Sequence, residues 1–255
     1  GQSICDGTPV SLSANTPTYG SGAWSVTGPS NSTAQFSSVS NPSATFTPAG
    51  GNGVYTLTWT LTNGNCVNSD SIVVNVGEST TWNGTSWSNG TPVSTKSVIF
   101  TGNYTIGADL DACSITVTSG AVVSVTSGFN VTLNGAITVS SGSFTVNNNA
   151  NLIQLTDVAN SGNIIVKRQS KALMRLDYTI WSSPVAGQNL QAFSPNTLAS
   201  CFYNYNTTTN LYNAVSSPST TSFAAGKGYL IRTPNNFPLT PTVWPGSFTG
   251  VPNNG

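Results

Sequence analysis

Between Val98 and Leu155 the chain repeats a simple alternation of apolar and polar residues. Short apolar runs, such as Val123 with Val125, are separated by Ser-Gly or Asn-Gly pairs. The glycines of these pairs fall at nearly even spacing: Gly120, Gly128, Gly135 and Gly142. Self-similarity of this kind is typical of stacked β-structure. The pattern therefore predicts a short β-solenoid over residues 79–166. An antiparallel meander is the alternative, because alternation alone does not separate the two.

The first 78 residues contain a stricter alternation. Four apolar residues alternate with threonines in one run: Tyr55, Leu57, Trp59 and Leu61. This predicts a strand with one buried face and one threonine-coated face. Asn63-Gly64 then predicts a turn, and further short apolar runs lie on either side. Several short strands at this spacing indicate a β-sandwich over residues 1–78.

From Lys167 onward the even repeat gives way to strands joined by long polar loops. Tyr178 and Ile180 alternate in one predicted strand, and Tyr203 and Tyr205 in another. We expect a further β-sandwich-like module over residues 167–255, which makes the whole chain all-β. The last residues, GVPNNG, predict a turn with no following strand. We therefore expect this module to be incomplete, through truncation or cleavage.

The composition narrows the function classes. Only 5% of the 255 residues are charged and the net charge is zero, which argues against nucleic-acid binding because phosphate recognition needs clustered Lys and Arg. Low charge with many β-branched residues also argues against disorder. No apolar run is long enough to span a membrane. Ser, Thr, Asn and Gly provide the solvated surface instead, which indicates an extracellular protein.

The four cysteines predict disulfides rather than a metal site. The chain has no CxxC pair and no histidine, so zinc binding is not expected. We predict a Cys5–Cys66 disulfide that ties the first strand region to the loop after the long strand. Cys113 and Cys201 either form a second bridge, between the solenoid and the third module, or remain buried thiols.

The candidate chemistry does not indicate an enzyme. Without histidine the usual general base and the Ser-His-Asp triad are missing. Asp109 and Asp111 are candidates for calcium binding, since calcium takes carboxylate and carbonyl oxygens; an ordinary polar loop is the alternative. No other cofactor is expected. Four basic residues form either an anion-binding patch or a solvated edge: Lys167, Arg168, Lys171 and Arg175.

Three aromatic residues are candidates for stacking on a sugar: Trp82, Trp87 and Tyr203. The two tryptophans lie among Gly, Asn and Ser, directly before the predicted solenoid. The alternative is structural, because the exposed end of a solenoid needs a covering element. In that case Trp82 and Trp87 bury the first rung.

A family resemblance extends these expectations. The segments CDGTPVSLSA, GAWSV and GVYTLTWTLTNGNCVNSDSIVVNV resemble the immunoglobulin-like, PKD-like modules of Bacteroidota cell-surface proteins, many of them type IX secretion substrates and some of them gliding-motility adhesins. The run WNGTSWSNGTP and the stretch DYTIWSSPVAGQNLQAFSP with GKGYLIRTP resemble further modules of the same proteins. The resemblance implies that residues 1–78 are Ig-like. It also implies that Asp70-Ser71-Ile72 carries an O-linked glycan on Ser71.

Two functions from different classes follow. The favoured one is a non-catalytic extracellular structural or adhesive protein of the cell surface, a rigid β-modular stalk or filament component. Its partners would be other copies, other modules of a surface assembly, glycans or abiotic surfaces, without nucleic acid and without membrane insertion. The alternative is an ancillary carbohydrate-binding portion of a larger secreted enzyme.

Overall fold

The computed structural model describes residues 1–254 and is built almost entirely of strands, with 46% of residues in strands and 4% in helices. The all-β prediction is confirmed. Gly255, the predicted end of the third module, lies outside the described residues. No helix within residues 1–254 is both long enough and apolar enough to cross a membrane.

The N-terminal unit consists of two sheets around one core. Its strands are β1 (Gln2–Ile4), β2 (Val10–Ser11), β3 (Ser21–Thr27), β4 (Thr45–Phe46), β5 (Gly53–Asn63) and β6 (Cys66–Val76), with a 3-10 turn at Thr33–Gln35. The larger sheet has the order β1-β6-β5-β3, and β2 pairs with β4. On β5 the side chains of Tyr55, Leu57 and Trp59 are buried, as the alternation predicts. They pack against Phe46 of the smaller sheet, so the unit has its own hydrophobic core.

The predicted solenoid is confirmed as a three-faced stack of parallel strands with about four turns. Its strands are β7 (Ser79–Trp82), β8 (Ser97–Phe100), β9 (Tyr104–Ile106), β10 (Leu110–Ala112), β11 (Ser114–Val117), β12 (Val122–Val125), β13 (Asn130–Leu133), β14 (Ile137–Val139), β15 (Ser143–Val146) and β16 (Asn151–Gln154). The faces are β7-β8-β11-β14, β9-β12-β15 and β10-β13-β16, and all their pairs are parallel. The antiparallel meander is therefore wrong.

The rungs stack with apolar side chains in register. Leu110 aligns with Val131, and Val131 aligns with Leu152. The corners explain part of the glycine pattern. Gly142 has φ +104°, and a Cβ atom there would lie 2.1 Å from the carbonyl oxygen of Ala121. A glycine is required because the backbone of one corner lies directly on the corner of the rung below.

The C-terminal region is a continuation of the solenoid and not a separate module. Its strands are β17 (Ile164–Leu173), β18 (Tyr178–Trp181), β19 (Val185–Ala186), β20 (Phe202–Asn206), β21 (Leu211–Ala214), β22 (Tyr229–Arg232) and β23 (Thr242–Pro252); its helical turns are α1 (Leu190–Phe193) and a 3-10 turn at Ala199–Cys201. β17 pairs in parallel with β15 and antiparallel with β23. The antiparallel sheet β18-β22-β20-β21 packs alongside.

A single core extends through the solenoid and the C-terminal sheet, from Val98 to Phe248. The predicted boundary between residues 166 and 167 therefore falls inside β17. The prediction of an unpaired terminal turn is wrong for Gly250–Pro252, which belong to β23. Pro245 and Pro252 make this segment resemble a loop, but Pro245 lies beside the bulge in the β17 pairing and Pro252 is the last residue of its strand. A bulge tolerates proline, and Pro252 lies past Gly250, the partner of the first residue of β17, so its missing N–H removes no bond to β17.

Candidate functional site

The disulfide lies at the junction between the N-terminal unit and the solenoid. Cys5 and Cys113 are bonded, with Cα atoms 5.5 Å apart, while Cys66 is exposed and Cys201 is buried, both as free thiols. The predicted Cys5–Cys66 bridge is wrong, and so is the alternative bridge between Cys113 and Cys201. The reason is the parallel register of β1 with the end of β6, where Ile4 pairs with Val76. Because β6 has 11 residues, Cys66 lies about 33 Å away at its other end.

A hydrogen bond connects the two parts at the same place: the N–H of Asp6 donates to Oγ of Ser97 over 3.1 Å. The N–H of Gly77 donates to the carbonyl of Ile4 over 2.9 Å and continues the pairing of β1 with β6 up to the junction. Gly135 leaves room for the disulfide, because a Cβ atom there would lie 3.2 Å from Sγ of Cys5. A cleft of about 1200 Å³ lies beside these contacts and is lined by both parts.

Trp82 and Trp87 form an aromatic cap at the first rung. Their ring centroids are 5.3 Å apart, and both contact Tyr104, at 4.9 and 5.4 Å. Trp87 also packs at 5.7 Å from Phe100, which lies in the solenoid core. Nε1 of Trp82 donates to the carbonyl of Asn103 over 2.9 Å. Both tryptophans therefore cover the first rung, which is the structural alternative stated above.

The loop between the two tryptophans is held by its own asparagines. Oδ1 of Asn83 accepts from the N–H groups of Thr85 and Ser86, at 2.9 and 3.0 Å. Asn89 donates to the carboxylate of Glu78 over 3.0 Å, and Glu78 forms an ion pair with Lys96 at 3.6 Å. The W-N-G-x-x-W-S-N-G run is thus a loop whose short polar residues close it over the rung.

A cleft of about 460 Å³ opens beside the cap, with Trp87 and Tyr104 on its walls together with Asp109 and Asp111. Aromatic rings next to carboxylates suit a carbohydrate, whose apolar ring faces stack on aromatic groups while its hydroxyls donate to oxygens. This is the single place where a residue predicted to stack and both predicted calcium ligands come together. Tyr203 lies elsewhere, on β20.

Asp109 has a structural role within the stack. Its Oδ1 accepts from the backbone N–H of Asn130 over 2.8 Å. The side chain of Asn130 accepts in turn from Nδ2 of Asn151 over 2.9 Å, so polar residues 21 apart form a ladder across three rungs. Within residues 1–254 no group of three or more His, Cys, Asp or Glu side chains is arranged to hold a metal. Calcium binding at Asp109 and Asp111 stays a prediction.

Tyr203 belongs to an aromatic surface on the sheet β18-β22-β20-β21. The register places eight side chains on its outer face, where Arg232 and Ala214 lie beside six apolar or aromatic residues, which we call the tyrosine face: Tyr178, Ile180, Leu230, Tyr203, Tyr205 and Tyr212. The opposite face packs onto the core through Trp181, Phe202 and Ile231. Two tyrosine pairs lie on the outer face: Tyr178 with Tyr203 at 6.0 Å, and Tyr205 with Tyr212 at 5.3 Å. Partial desolvation of its phenol, together with the neighbouring Cys201 and Tyr203, raises the pKa of Tyr178 to about 12.

The remaining sequence candidates occupy separate places. The guanidinium of Arg168 donates to the carbonyls of Lys167, Asn147 and Ala150, so it closes an end of the solenoid, and burial lowers the pKa of Arg168. Ser71 is exposed on β6, with its hydroxyl 2.9 Å from that of Thr58. Its glycosylation stays a prediction.

A family model described as a domain of unknown function (DUF8693) matches residues 74–255. The chain belongs to the DUF8693 family. No curated protein and no solved structure matches it. The DUF8693 match covers the cap, the solenoid and the C-terminal sheet, and it contains the whole continuous core. Most of the N-terminal unit precedes the match, so the disulfide joins Cys113 inside the DUF8693 region to Cys5 outside it.

Sequence reasoning missed several members of these sites. Tyr104 sits in the aromatic cap and the adjoining cleft, and its position directly before a short alternating run was the available signal. The ladder formed by Asp109, Asn130 and Asn151 was visible as polar residues at a fixed separation of 21. The sequence indicated the alternation of Tyr178 with Ile180 and of Tyr203 with Tyr205, but not that these residues share one face, because the four strands of the sheet pair in non-sequential order.

Proposed function

We propose that this chain is a non-catalytic extracellular element with a structural and adhesive role, a rigid β-modular spacer at a cell surface. The observation that carries the proposal is the disulfide between Cys5 and Cys113. It cross-links two parts that have separate hydrophobic cores, at the point where the chain passes from one to the other. Two attachments at one junction suppress hinge motion, and stiffness is the property that a spacer needs.

The chemistry of the surface supports the same role. A structural disulfide persists in oxidising compartments, which is consistent with a protein outside the cytosol. The outer face of the larger N-terminal sheet is coated mainly by hydroxyl side chains: Thr56, Thr58, Thr60, Ser69 and Ser71. The resemblance of the N-terminal segments to modules of Bacteroidota surface proteins supports a cell-surface location.

Stiffness can be measured with two spin labels, one on the exposed thiol of Cys66 and one on a cysteine introduced as Leu239→Cys. These positions lie in the N-terminal unit and in the loop between β22 and β23, and Leu239 is 70% exposed. We expect a narrow distance distribution in the oxidised protein. The same labels in the Cys5→Ser/Cys113→Ser variant should give a broader one. A broad distribution in the oxidised protein would contradict a rigid spacer.

Location can be tested on intact producing cells with a membrane-impermeant maleimide. Cys66 is the exposed free thiol, so a surface protein should be labelled without lysis. The Cys66→Ser variant is the matched control, since Cys201 is buried and should not react. Labelling that occurs only after lysis would argue against an extracellular role.

A second candidate function is carbohydrate binding in the cleft beside the cap. The favouring observation is that Trp87 and Tyr104 share this cleft with Asp111, an exposed carboxylate. Because Trp87 also holds the cap, its removal would confound binding with folding. The sharper variant is Asp111→Asn, with Asp157→Asn as the control outside the cleft. Binding on a glycan array that is lost only in Asp111→Asn would favour this function, and an array without binding would remove it.

A further inference from the structure

The two large antiparallel sheets of this molecule have different outer faces. The N-terminal sheet carries mainly threonine and serine outward, interrupted by Val67 and Val73. The C-terminal sheet carries the tyrosine face, on which Ile180 is 57% and Tyr212 47% exposed. A contiguous exposed face of apolar and aromatic residues often marks an interaction surface.

The edge of the same sheet points to the partner. β21 is the last strand of the order β18-β22-β20-β21, and all four of its residues are exposed. The N–H of Val215 bonds to the carbonyl of Phe202, which sets the alternation of the ladder between β20 and β21. By that alternation the backbone N–H and C=O groups of Tyr212 and Ala214 face away from β20. Their geometric complement is another strand.

Two other sheet edges of the chain, at β7 and at β3, are partly covered by the chain itself. At β7 the N–H of Ser88 donates to the carbonyl of Thr81 over 3.0 Å, and the N–H of Thr81 donates to Oγ of Ser88 over 2.9 Å. At β3 the N–H of Trp24 donates to the carbonyl of Val39 over 2.8 Å. No comparable contact within residues 1–254 covers Tyr212 or Ala214 of β21.

The usual protection of an edge is also missing at β21. Natural edges carry lysine, proline, bulges or inward charges that prevent pairing with another chain. The sequence from Tyr178 to Gly226, which contains β18, β20 and β21, has no charged residue. β21 itself contains no proline, and its register with β20 is continuous from Leu211 to Ala214. The strand is therefore open to pairing, with no charge repulsion to oppose a second copy.

We infer that β21 pairs antiparallel with β21 of a second copy of this chain, about a twofold axis through Asn213. In that register Tyr212 of one copy lies opposite Ala214 of the other, and each such pair exchanges both of its N–H···O bonds. Bulky Tyr212 thus faces a methyl group, which leaves room for its ring. Leu211, which is 62% exposed, comes opposite Val215.

The pairing also explains the tyrosine face. Cross-strand partners share a face, so Tyr203 and Ala214 of one copy continue into Tyr212 and Tyr205 of the other. The two tyrosine faces become one continuous surface on a sheet of doubled width. This inference deepens the proposed structural role by naming a partner, and it rests on that role for its biological meaning. Its geometry stands on β21 alone.

Sedimentation equilibrium over a wide concentration range tests the pairing. We expect wild-type protein to form a dimer. Ala214→Pro removes the outward N–H without touching the ladder with β20, and edge strands tolerate proline at such positions. It should weaken association by at least about tenfold. Tyr212→Lys adds a charge at the same edge and should do likewise. Leu239→Lys, which changes an exposed apolar residue outside β21, is the matched control.

A cross-link tests the axis itself. In a Cys66→Ser background, Asn213→Cys places two thiols opposite each other across the twofold axis, within disulfide reach for a non-hydrogen-bonded pair. Mild oxidation should yield a covalent dimer, whereas Leu239→Cys in the same background should not. Circular dichroism of each variant shows that the fold is retained.

The outcomes separate this inference from the proposed function. A wild-type protein that is monomeric at all concentrations would overturn the pairing. So would a dimer whose affinity is the same in Ala214→Pro and Tyr212→Lys. If such a protein still gave a narrow spin-label distance, the rigid spacer would stand without self-association. A broad distance with an intact β21 dimer would leave the pairing and remove the spacer.

Discussion

The solenoid holds its two neighbours in different ways. The N-terminal unit has its own core and is attached by the Cys5–Cys113 disulfide and by the hydrogen bond from Asp6 to Ser97. The C-terminal sheet has no separate core: β17 runs from the solenoid into it, and the buried residues form one cluster. The first attachment depends on a covalent bond, whereas the second depends on packing. The solenoid is thus joined to the N-terminal unit by a cross-link and to the C-terminal sheet by a shared core.

This difference predicts how the parts separate under stress. Reduction of the disulfide should release the N-terminal unit from the solenoid while both stay folded. The C-terminal sheet should separate from the solenoid only when both unfold, because they share one core. The DUF8693 match has the same division: it contains both parts of the shared core and little of the N-terminal unit.

The largest effect is expected from removing the disulfide. The bridge spans a sequence separation of 108 residues, and the chain-entropy model gives about 4–5 kcal/mol for a loop of this size. The Cys5→Ser/Cys113→Ser variant should lose about this much unfolding free energy in urea, and protease should then cut near Gly77 in the folded protein. Cys66→Ser is the control and should change stability by less than about 0.5 kcal/mol. An unchanged urea midpoint for the double variant would show that the disulfide does not stabilise the junction.

The next effect tests the shared core. Phe248 is fully buried on β23 and packs against Phe193 at 4.6 Å. Phe248→Ala should cost about 3–4 kcal/mol, because a large buried ring leaves a cavity. The solenoid and the C-terminal sheet should unfold together, in one transition by hydrogen exchange. Phe46→Ala, in the separate N-terminal core, should instead destabilise only that unit. If Phe248→Ala melts the C-terminal sheet while the solenoid stays protected, the core is not shared.

A smaller effect is expected inside the rod. Gly142→Ala should cost about 1–3 kcal/mol, since the residue has φ +104° and the new Cβ atom would meet the carbonyl oxygen of Ala121. Gly107→Ala is the matched control, because nothing lies within 4 Å of a Cβ atom there. Thermal melts of the two variants provide the measurement. Equal melting temperatures would show that stacking at this corner does not constrain the rung.

The smallest effect concerns pH and belongs to the C-terminal sheet alone. The pKa of Tyr178 is raised to about 12 from an ordinary value of 10, so the folded state favours the neutral phenol. The stabilisation is complete below pH 10 and is lost as the pH rises from 10 towards 12. Ultraviolet titration should show a late-ionising tyrosine that Tyr178→Phe removes. The variant should also have a flatter stability profile in that range. A titration without a late component would contradict the raised pKa of Tyr178.

Much of the fold could be predicted from local patterns. Ser-Gly and Asn-Gly punctuation with alternating valines predicts the solenoid, and alternation of Tyr55, Leu57 and Trp59 with threonines predicts β5. Both patterns are local, because a rung or a strand repeats the same burial every few residues. The tryptophans were predicted as cap or sugar platform, and the ring contacts place them in the cap.

Other features could not be predicted, because they depend on which distant segments meet. The cysteine pairing was wrong since Cys5 follows β1, and the sequence does not show that β1 lies parallel to the end of β6. The end of the chain was assigned to a turn because its prolines hide β23, which is ordered by its partner β17.

The sequence by itself determined the class of this protein: an all-β chain of low charge, with a solenoid in the middle and no histidine for general-base catalysis. Only the tertiary structure decided how the parts are joined and which surface is left open. The physical reason is the distance along the chain over which the interactions act. Alternation and turn residues act over a few positions, whereas a disulfide over 108 residues, a core from Val98 to Phe248 and an uncovered edge at β21 are set by contacts between distant strands.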